Sequence, residues 1–278
     1  MEVKLHPVLF KIGAFELRAY GFMLALSFLA GIWLATKRAK KRGIDPNNIM
    51  DVSVVIIISS IVGSRLLYVI FHLDEFRGRW LDTINPFQSD GQIGIAGLTL
   101  LGGVVLSFIS CMLYLYIKKL SFLKFADIIV PSVALGIFLT RIGCYLNGCC
   151  FGLPCEGAVC VEFPHHSAAG SVFPNQSLIP TQLYSSLYGL FMLVALLYLE
   201  RHQRFTGFLF YWFLVLYGIS RFTIDFFRFY ESSMVVFKIS GTAISVNQTI
   251  SLVFVLAGVV ALVYNRTRLN GFQSAKET

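Results

Sequence analysis

Apolar stretches of about 20 residues recur along the whole chain, and this pattern constrains the fold more than any other feature. A helix of roughly 20 apolar residues crosses the ~30 Å hydrocarbon core of a bilayer. Charged residues make up 14% of the 278 residues, which is too little to cover the surface of a soluble domain. The sequence therefore predicts an all-α polytopic membrane protein with seven transmembrane helices. The predicted spans are 17–36, 52–72, 93–117, 125–147, 181–199, 206–228 and 244–265.

The distribution of basic residues predicts the orientation of the chain. More than half of the 23 Lys and Arg residues lie in four segments at one set of span ends: 37–42, 118–124, 201–204 and 266–276. Cytoplasmic loops carry an excess of Lys and Arg, so we expect the N-terminus outside and the C-terminus in the cytoplasm. The net charge of +8 follows from this cytoplasmic belt. It indicates contact with membrane lipids and not with nucleic acid.

The longest segment that is not apolar covers about 148–180 and is predicted to lie outside the membrane as a Cys-rich loop. No internal repeat and no low-complexity linker interrupts the chain, so residues 1–278 are predicted to form a single transmembrane domain. Elaborate loops often bind a substrate or a partner, which directs attention to the external side.

Four cysteines are expected on the external side, where disulfides persist. Their spacing matches no standard zinc motif. We therefore expect one or two disulfides in the loop, and neither a metal nor a cofactor, with free thiols as the alternative. These residues are Cys149, Cys150, Cys155 and Cys160.

Arginines inside the predicted spans are the most informative polar residues, because an arginine near the bilayer centre is costly unless it faces a cavity or a partner. In the sixth span, Arg221, Asp225 and Arg228 follow Tyr217 at helical spacing and are expected on one face. A structural ion pair between Arg221 and Asp225 is one interpretation. Snorkelling of Arg228 to the interface is another.

Two further spans also carry an arginine on a polar face. Arg65 lies three residues before Tyr68 in the second span, and Arg141 lies three residues before Cys144 in the fourth. The spans supply too few acids to pair all these arginines, and a guanidinium binds phosphate through two hydrogen bonds. The residues therefore predict a site for an anionic lipid headgroup, open to the outer leaflet.

Several motifs resemble those of the prolipoprotein diacylglyceryl transferase family, and they are collinear with that family over nearly the whole chain. The run "TRIGCYLNGCCFG" (140–152) is similar to the family signature GRxGNxxNxExxG. Further similarities are "RAYGFMLALSFLAGIWLA" (18–35), "GSRLLYVIF" (63–71), "DIIVP" (127–131), "PTQLY" (180–184) and "YGISRFTIDFFR" (217–228).

This resemblance implies an enzyme of the bacterial inner membrane that takes phosphatidylglycerol from the outer leaflet. The diacylglyceryl group would pass to the lipobox cysteine in the signal peptide of a prolipoprotein, and glycerol phosphate would leave. Arg141 and Arg221 would stabilise the departing phosphate, and Asp225 would orient Arg221. The substrate-binding positions implied are Tyr20, Arg65, Tyr68, Asn147, Gly152, Gln182, Tyr184 and Tyr217.

The sequence departs from the resembled family at the positions that would move a proton. The family's third span carries a histidine in "SFHGG" that is thought to act as a base, and "GLTLLGG" (97–103) has Leu101 there. Cys144 stands where the family has Asn, and Cys149 where it has Glu. Three alternatives stay open: the same reaction with another base, the same lipid donor with another acceptor, or phospholipid binding without chemistry.

Overall fold

The computed structural model describes residues 8–12, 15–76, 99–165, 167–229, 235–239 and 242–277. Within these residues, six helices are long and apolar enough to cross a membrane, and a shorter apolar helix covers Leu101–Ile117. The prediction of a helical polytopic membrane protein is confirmed at this level.

Each predicted span overlaps one helix, and short antiparallel strand pairs lie between some of the helices. The pairs are β1 with β2, β3 with β4 and β5 with β6. The elements are β1 (Val8–Ile12), β2 (Phe15–Arg18), α1 (Ala19–Lys41), α2 (Pro46–Phe71), a 3-10 turn (Leu73–Phe76), α3 (Leu100–Ile117), α4 (Phe122–Leu146), β3 (Val161–Glu162), α5 (Ala168–Val172), β4 (Ser177–Leu178), α6 (Thr181–Leu199), a 3-10 turn (Glu200–His202), α7 (Phe208–Asp225), β5 (Val235–Ile239), β6 (Thr242–Ser245) and α8 (Val246–Glu277).

The backbone forms two compact units, one made of Met1–Ala35 with Ala126–Thr278 and the other of Thr36–Phe125. In the second unit, α2 packs closely on α3 because Gly63 and Gly102 face each other. A Cβ atom on either glycine would collide with the backbone of the other. Small residues of this kind let two membrane helices approach, and Thr99 adds a 3.0 Å hydrogen bond from Oγ1 to the carbonyl of Ser64.

In the first unit, α7 and α8 pack through two further glycines. A Cβ on Gly218 would lie 2.7 Å from the carbonyl oxygen of Ser251, and one on Gly258 would lie 2.8 Å from that of Tyr211. The close contact places the end of α7, which carries two predicted site residues, against the start of α8.

The buried carboxylate of Asp127 fixes the first turn of α7. It accepts hydrogen bonds from the backbone N–H groups of Gly207 at 2.7 Å and Phe210 at 2.9 Å, and from Gln203 Nε2 at 2.7 Å. The first N–H groups of a helix have no partner inside the helix, and a negative charge at this end interacts favourably with the helix dipole. Asp127 is thereby assigned to the structure of α7.

The loop between α4 and α6 has a hydrophobic core of its own. Its buried residues are Phe151, Val161, Phe163, Ala169 and Leu178. A disulfide joins Cys155 to Cys160 in the same loop. The loop is therefore a folded element that is able to hold the residues at the end of α4 in place.

Many large apolar side chains of the long helices are exposed. Leu29 is 67% exposed, Phe71 70% and Val260 65%. Contiguous apolar surface on this scale is rare in soluble monomers, and lipid would cover it.

Candidate functional site

The chain turns sharply where α4 ends, and this turn begins the site. Gly148 has a left-handed φ of 66°, and the N–H of Cys149 bonds the carbonyl of Cys144 at 3.1 Å. A left-handed glycine after the last turn is a common way to end a helix. Cys150 also has a positive φ, 63°, which a residue with a side chain adopts rarely. The backbone thus folds back beside the last turn of α4.

The first turn of α6 holds this reversed segment by two buried side chains. Gln182 donates from Nε2 to the carbonyl of Cys149 at 2.8 Å, and Thr181 donates from Oγ1 to the carbonyl of Cys150 at 2.9 Å. Gln182 is 0% exposed. Its Oε1 atom is buried and has no hydrogen-bond partner among the described residues.

Gly152 lies where three segments of the backbone meet. Its N–H donates a hydrogen bond to the carbonyl of Ile179 at 3.0 Å, and its backbone forms an antiparallel β-bridge with that of Arg228. A Cβ at this position would lie 2.6 Å from the carbonyl oxygen of Phe227 and 2.7 Å from that of Ile179. Only glycine allows this approach, so the resemblance-based assignment of Gly152 has a geometric reason in the loop.

Arg228 is not on the helical face predicted from the sequence. Helix α7 ends at Asp225, and the residues after it turn towards Gly152. Arg228 therefore reaches the end of α4 from a neighbouring segment and acts electrostatically on Cys150. Its place in the site was missed from the sequence because its spacing from Arg221 suits a continuous helix.

Three thiols meet at the turn, and we call Cys144, Cys149 and Cys150 the thiol cluster. Their sulfur atoms lie within 4.8 Å of one another. Cys144 is buried, while the other two are partly accessible. The Asn147 side chain acts to lower the pKa of the Cys149 thiol, so this predicted site residue lies beside the cluster.

The thiols of the cluster shift one another's pKa, and the Cys149 thiol donates a hydrogen bond to the carbonyl of Cys144 at 3.7 Å. Hydrogen bonds with Cys144 and Cys149 lower the pKa of Cys150, and the positive charges of Arg228 and Arg141 lower it further. For Cys149, a hydrogen bond with Cys144 lowers the pKa, but a hydrogen bond with Cys150 and burial outweigh it and raise the pKa overall. Of these two thiols, Cys150 is therefore the one whose pKa its neighbours lower.

Tyr20 and Arg141 lie beside the thiol cluster. Tyr20 interacts electrostatically with all three cysteines and with Arg141. It sits in the first turn of α1, which approaches α4 closely because Gly143 has no side chain: a Cβ there would lie 2.9 Å from the Cβ of Met23. Tyr20, Arg141 and Asn147, three of the residues predicted for the site, thus all lie beside the thiol cluster.

Arg221 and Asp225 form an ion pair on α7. Nη1 of Arg221 lies 3.5 Å from Oδ1 of Asp225, as the spacing of four residues predicts. Oδ2 of Asp225 accepts a 2.6 Å hydrogen bond from the hydroxyl of Ser245. The carboxylate is fully buried, whereas Arg221 keeps 16% of its side chain exposed, so Asp225 holds a guanidinium that a ligand is still able to reach.

The contacts that Tyr217 and Tyr184 make in the described part of the chain are with residues outside the thiol cluster. Tyr217 stacks on Phe213 at 5.6 Å and lies 6.3 Å from the ring of Phe254. Tyr184 lies in the first turn of α6, where its N–H bonds the carbonyl of Pro180 at 3.3 Å.

Arg65 and Tyr68 belong to the second unit and interact there with each other. The guanidinium carbon of Arg65 lies 5.7 Å from the centre of the Tyr68 ring, and Tyr68 stacks on His72 at 4.1 Å. Arg65 is 8% exposed. Leu101, which stands at the histidine position of the resembled family, is 66% exposed on α3.

The prediction of one or two disulfides in the external loop is confirmed by one disulfide. Cys155 and Cys160 are joined, whereas Cys149 and Cys150 are free thiols in the described structure. The reason is the reversed turn, which points this pair towards Cys144 and away from the rest of the loop.

Comparison with known proteins gives a consistent result over the length of the chain. Residues 7–264 match the model of the family described as prolipoprotein diacylglyceryl transferase. A phosphatidylglycerol–prolipoprotein diacylglyceryl transferase of Clostridium tetani is 33% identical over 94% of this chain and 98% of its own length. One of Clostridium perfringens, numbered 1, is 30% identical over 93% of this chain and 94% of its own length. The chain belongs to the prolipoprotein diacylglyceryl transferase family.

Proposed function

We propose that this chain transfers the diacylglyceryl group of phosphatidylglycerol to a cysteine thiol of a prolipoprotein in the bacterial inner membrane, with release of glycerol phosphate. The names of its relatives state this lipid donor and this kind of acceptor. The observation that carries the proposal is the approach of two arginines, Arg141 and Arg228, to one cluster at the end of α4. The acceptor is the lipobox cysteine of a signal peptide.

The chemistry requires the stabilisation of a departing phosphate. A sulfur–carbon bond forms, the bond between the glycerol carbon and the phosphate oxygen breaks, and the electron pair leaves with the phosphate. The phosphate changes from a diester with one negative charge to a monoester that gains a second. Arg141 and Arg221 bind this charge with their guanidinium N–H groups. Asp225 orients Arg221.

The remaining predicted residues are proposed to bind the substrates. Tyr20, Asn147 and Gln182 surround the thiol cluster, and Gly152 gives the loop its shape. The Oε1 atom of Gln182 accepts a hydrogen bond from a hydroxyl of the headgroup. The other proposed substrate-binding residues are Arg65, Tyr68, Tyr184 and Tyr217.

The finer topology is also a proposal. Helix α3 is the seventh span beside the six longer helices, the N-terminus is outside and the C-terminus is cytoplasmic. The excess of Lys and Arg at the other set of ends supports this orientation. It places the thiol cluster and the folded loop at the outer leaflet, where they meet phosphatidylglycerol and the signal peptide. All of the chain acts as a single domain.

The test is incubation of the purified full chain with headgroup-labelled phosphatidylglycerol and a lipobox cysteine peptide. The wild-type protein releases labelled glycerol phosphate, and Arg141→Gln releases it at least about 100-fold more slowly, as expected when one donor to a developing charge is removed. Arg201→Gln is the matched control, because Arg201 is exposed in the turn after α6.

Two results contradict the proposal. Release of glycerol phosphate with the lipid label on another molecule identifies a different acceptor. Intact phosphatidylglycerol that stays bound to the protein, with no release, identifies a lipid-binding protein without this chemistry.

A further inference from the structure

We propose that the thiol cluster is a three-thiolate zinc site whose fourth position binds the acceptor thiol. The inference rests on the transferase function proposed above and identifies how the same site removes the proton of that thiol. Leu101 offers no proton acceptor at the position where the family is expected to have a histidine, so the thiol must be activated in another way.

The geometry of Cys144, Cys149 and Cys150 suits a metal. The Zn–S distance is about 2.3 Å and the coordination is tetrahedral, which sets the sulfurs about 3.8 Å apart. The three sulfurs already lie within 4.8 Å of one another. Side-chain rotations that move the sulfur atoms by about 1 Å therefore bring them to the spacing that zinc requires. Among the residues that the structure describes, no fourth His, Cys, Asp or Glu atom joins the group.

An open fourth position is characteristic of catalytic zinc. Structural zinc sites are closed by four protein ligands, whereas catalytic sites have three and leave one place for water or substrate. Cys149 and Cys150 are partly accessible, which gives a ligand a route to that place. A disulfide joins only two sulfurs, so a disulfide within the cluster would leave the third cysteine as a free thiol.

The backbone around the cluster is held as a metal site requires. Gln182 and Thr181 fix the carbonyl groups of Cys149 and Cys150 with buried side chains. Outer contacts of this kind orient metal ligands and tune their affinity. In this chain such contacts hold two consecutive proposed ligands, Cys149 and Cys150.

The charges near the cluster suit a thiolate complex. Zn²⁺ with three cysteine thiolates and one substrate thiolate carries a charge of two negative units. Two arginines are near enough to balance it: Arg141 lies on α4 one turn before Cys144, and Arg228 forms a β-bridge with Gly152. Since Arg141 is also proposed to bind the departing phosphate, the sulfur of the acceptor thiol and the phosphate ester of the lipid are held side by side. Such positioning lowers the barrier of a displacement.

The proposed step balances without a redox change. The acceptor thiol replaces a water on Zn²⁺ and gives its proton to solvent, because a thiol that coordinates a metal is deprotonated. The bound sulfur forms a bond to the glycerol carbon while the carbon–oxygen bond to phosphate breaks, and the electron pair leaves with glycerol phosphate. The thioether is neutral and a weak ligand, so water replaces it on the metal.

The first test measures metal content in the full chain, purified in detergent under reducing conditions. About one equivalent of zinc per chain is expected. Cys144→Ser, Cys149→Ser and Cys150→Ser each lower the retained zinc by more than about tenfold, since loss of a ligand exceeds the 10- to 100-fold effect of losing an outer contact. Cys111→Ser is the matched control, because Cys111 is a free cysteine on α3 outside the cluster.

A second test needs no variant and therefore does not depend on folding. The wild-type protein is stripped with a chelator and reloaded with Co²⁺, and thiolate-to-cobalt absorption is recorded. Addition of the lipobox cysteine peptide without lipid increases this absorption, while the same peptide with serine does not. Metal-free protein regains transfer on addition of Zn²⁺.

The metal proposal and the transferase proposal fail in different ways. A zinc-free protein with full transfer activity, copper in place of zinc, or a disulfide within the cluster overturns the zinc site and leaves the transferase intact. Zinc bound through the three cysteines in a protein that releases no glycerol phosphate overturns the transferase and the thiol-activating role together.

Discussion

Gln182 donates a 2.8 Å hydrogen bond from Nε2 to the backbone carbonyl of Cys149. The bond joins the first turn of α6 to the turn that ends α4. It is fully buried, and it places one cysteine of the thiol cluster relative to the membrane helices. The candidate site is therefore built by contacts between helix ends that are far apart in the sequence.

Replacing Gln182 with Leu tests this relationship. Loss of a partner leaves the buried carbonyl of Cys149 unsatisfied, which costs about 1–3 kcal/mol of the free energy of unfolding. We expect a lower midpoint of thermal unfolding in detergent and slower release of glycerol phosphate. Gln176→Leu, at an exposed position of the same loop, serves as control. Equal behaviour of the two variants would contradict the role of Gln182.

Gly152→Ala tests the meeting of three backbone segments. The added Cβ would lie 2.6 Å from the carbonyl oxygen of Phe227, and backbone there cannot yield as a side chain would. We expect the free energy of unfolding to fall by about 1–3 kcal/mol or more. Transfer activity should be lost because Arg228 moves. The matched change is Gly136→Ala inside α4, where nothing lies within 4 Å. It should leave stability unchanged or raise it by up to about 1 kcal/mol, and a Gly152→Ala protein as stable and active as this control refutes the assignment.

Asp225→Asn tests the orientation of Arg221. Asparagine still accepts the hydrogen bond from Ser245, but it has no charge to hold the guanidinium. We expect a reduced kcat for transfer. The loss in the free energy of unfolding should be smaller than the increase in the activation free energy of transfer. Arg221→Lys should behave similarly, since an ammonium lacks the planar fork that binds phosphate. Arg204→Lys, at an exposed position before α7, is the control for the second change. Full activity of Asp225→Asn would show that the ion pair is structural only.

Asp127→Ala separates stability from chemistry. The three hydrogen bonds to its carboxylate are lost and the first turn of α7 is left without a cap, which costs about 1–2 kcal/mol or more. Thermal unfolding should begin at a lower temperature, while the rate of transfer per folded molecule stays near that of the wild type. A rate that falls with no loss of stability would assign Asp127 to the reaction instead.

The sequence predicts the helices well because length and hydrophobicity alone decide them. The span 181–199 coincides with α6, and the others overlap α1 to α4, α7 and α8. It predicts the pairing of Arg221 with Asp225 for an equally local reason, since residues four apart are neighbours on a helix. The single-domain organisation stays a prediction.

The thiol cluster could not be predicted in the same way. It depends on the left-handed backbone of Gly148 and Cys150, and on two side chains of α6 that hold the turn. The position of Arg228 depends on where α7 stops, which the helical spacing of the sequence does not indicate. The sequence predicts one or two disulfides among the four external cysteines but not which of them pair, because the general rule for external cysteines takes no account of the turn.

The most direct test of the proposed transfer is mass spectrometry of a lipobox cysteine peptide after incubation with the purified chain and phosphatidylglycerol. We predict that the cysteine sulfur gains one diacylglyceryl group through a thioether, with one glycerol phosphate released for each peptide modified, and that a serine peptide gains none. An unmodified cysteine peptide in the presence of intact phosphatidylglycerol, or glycerol phosphate released without the thioether, would contradict the account.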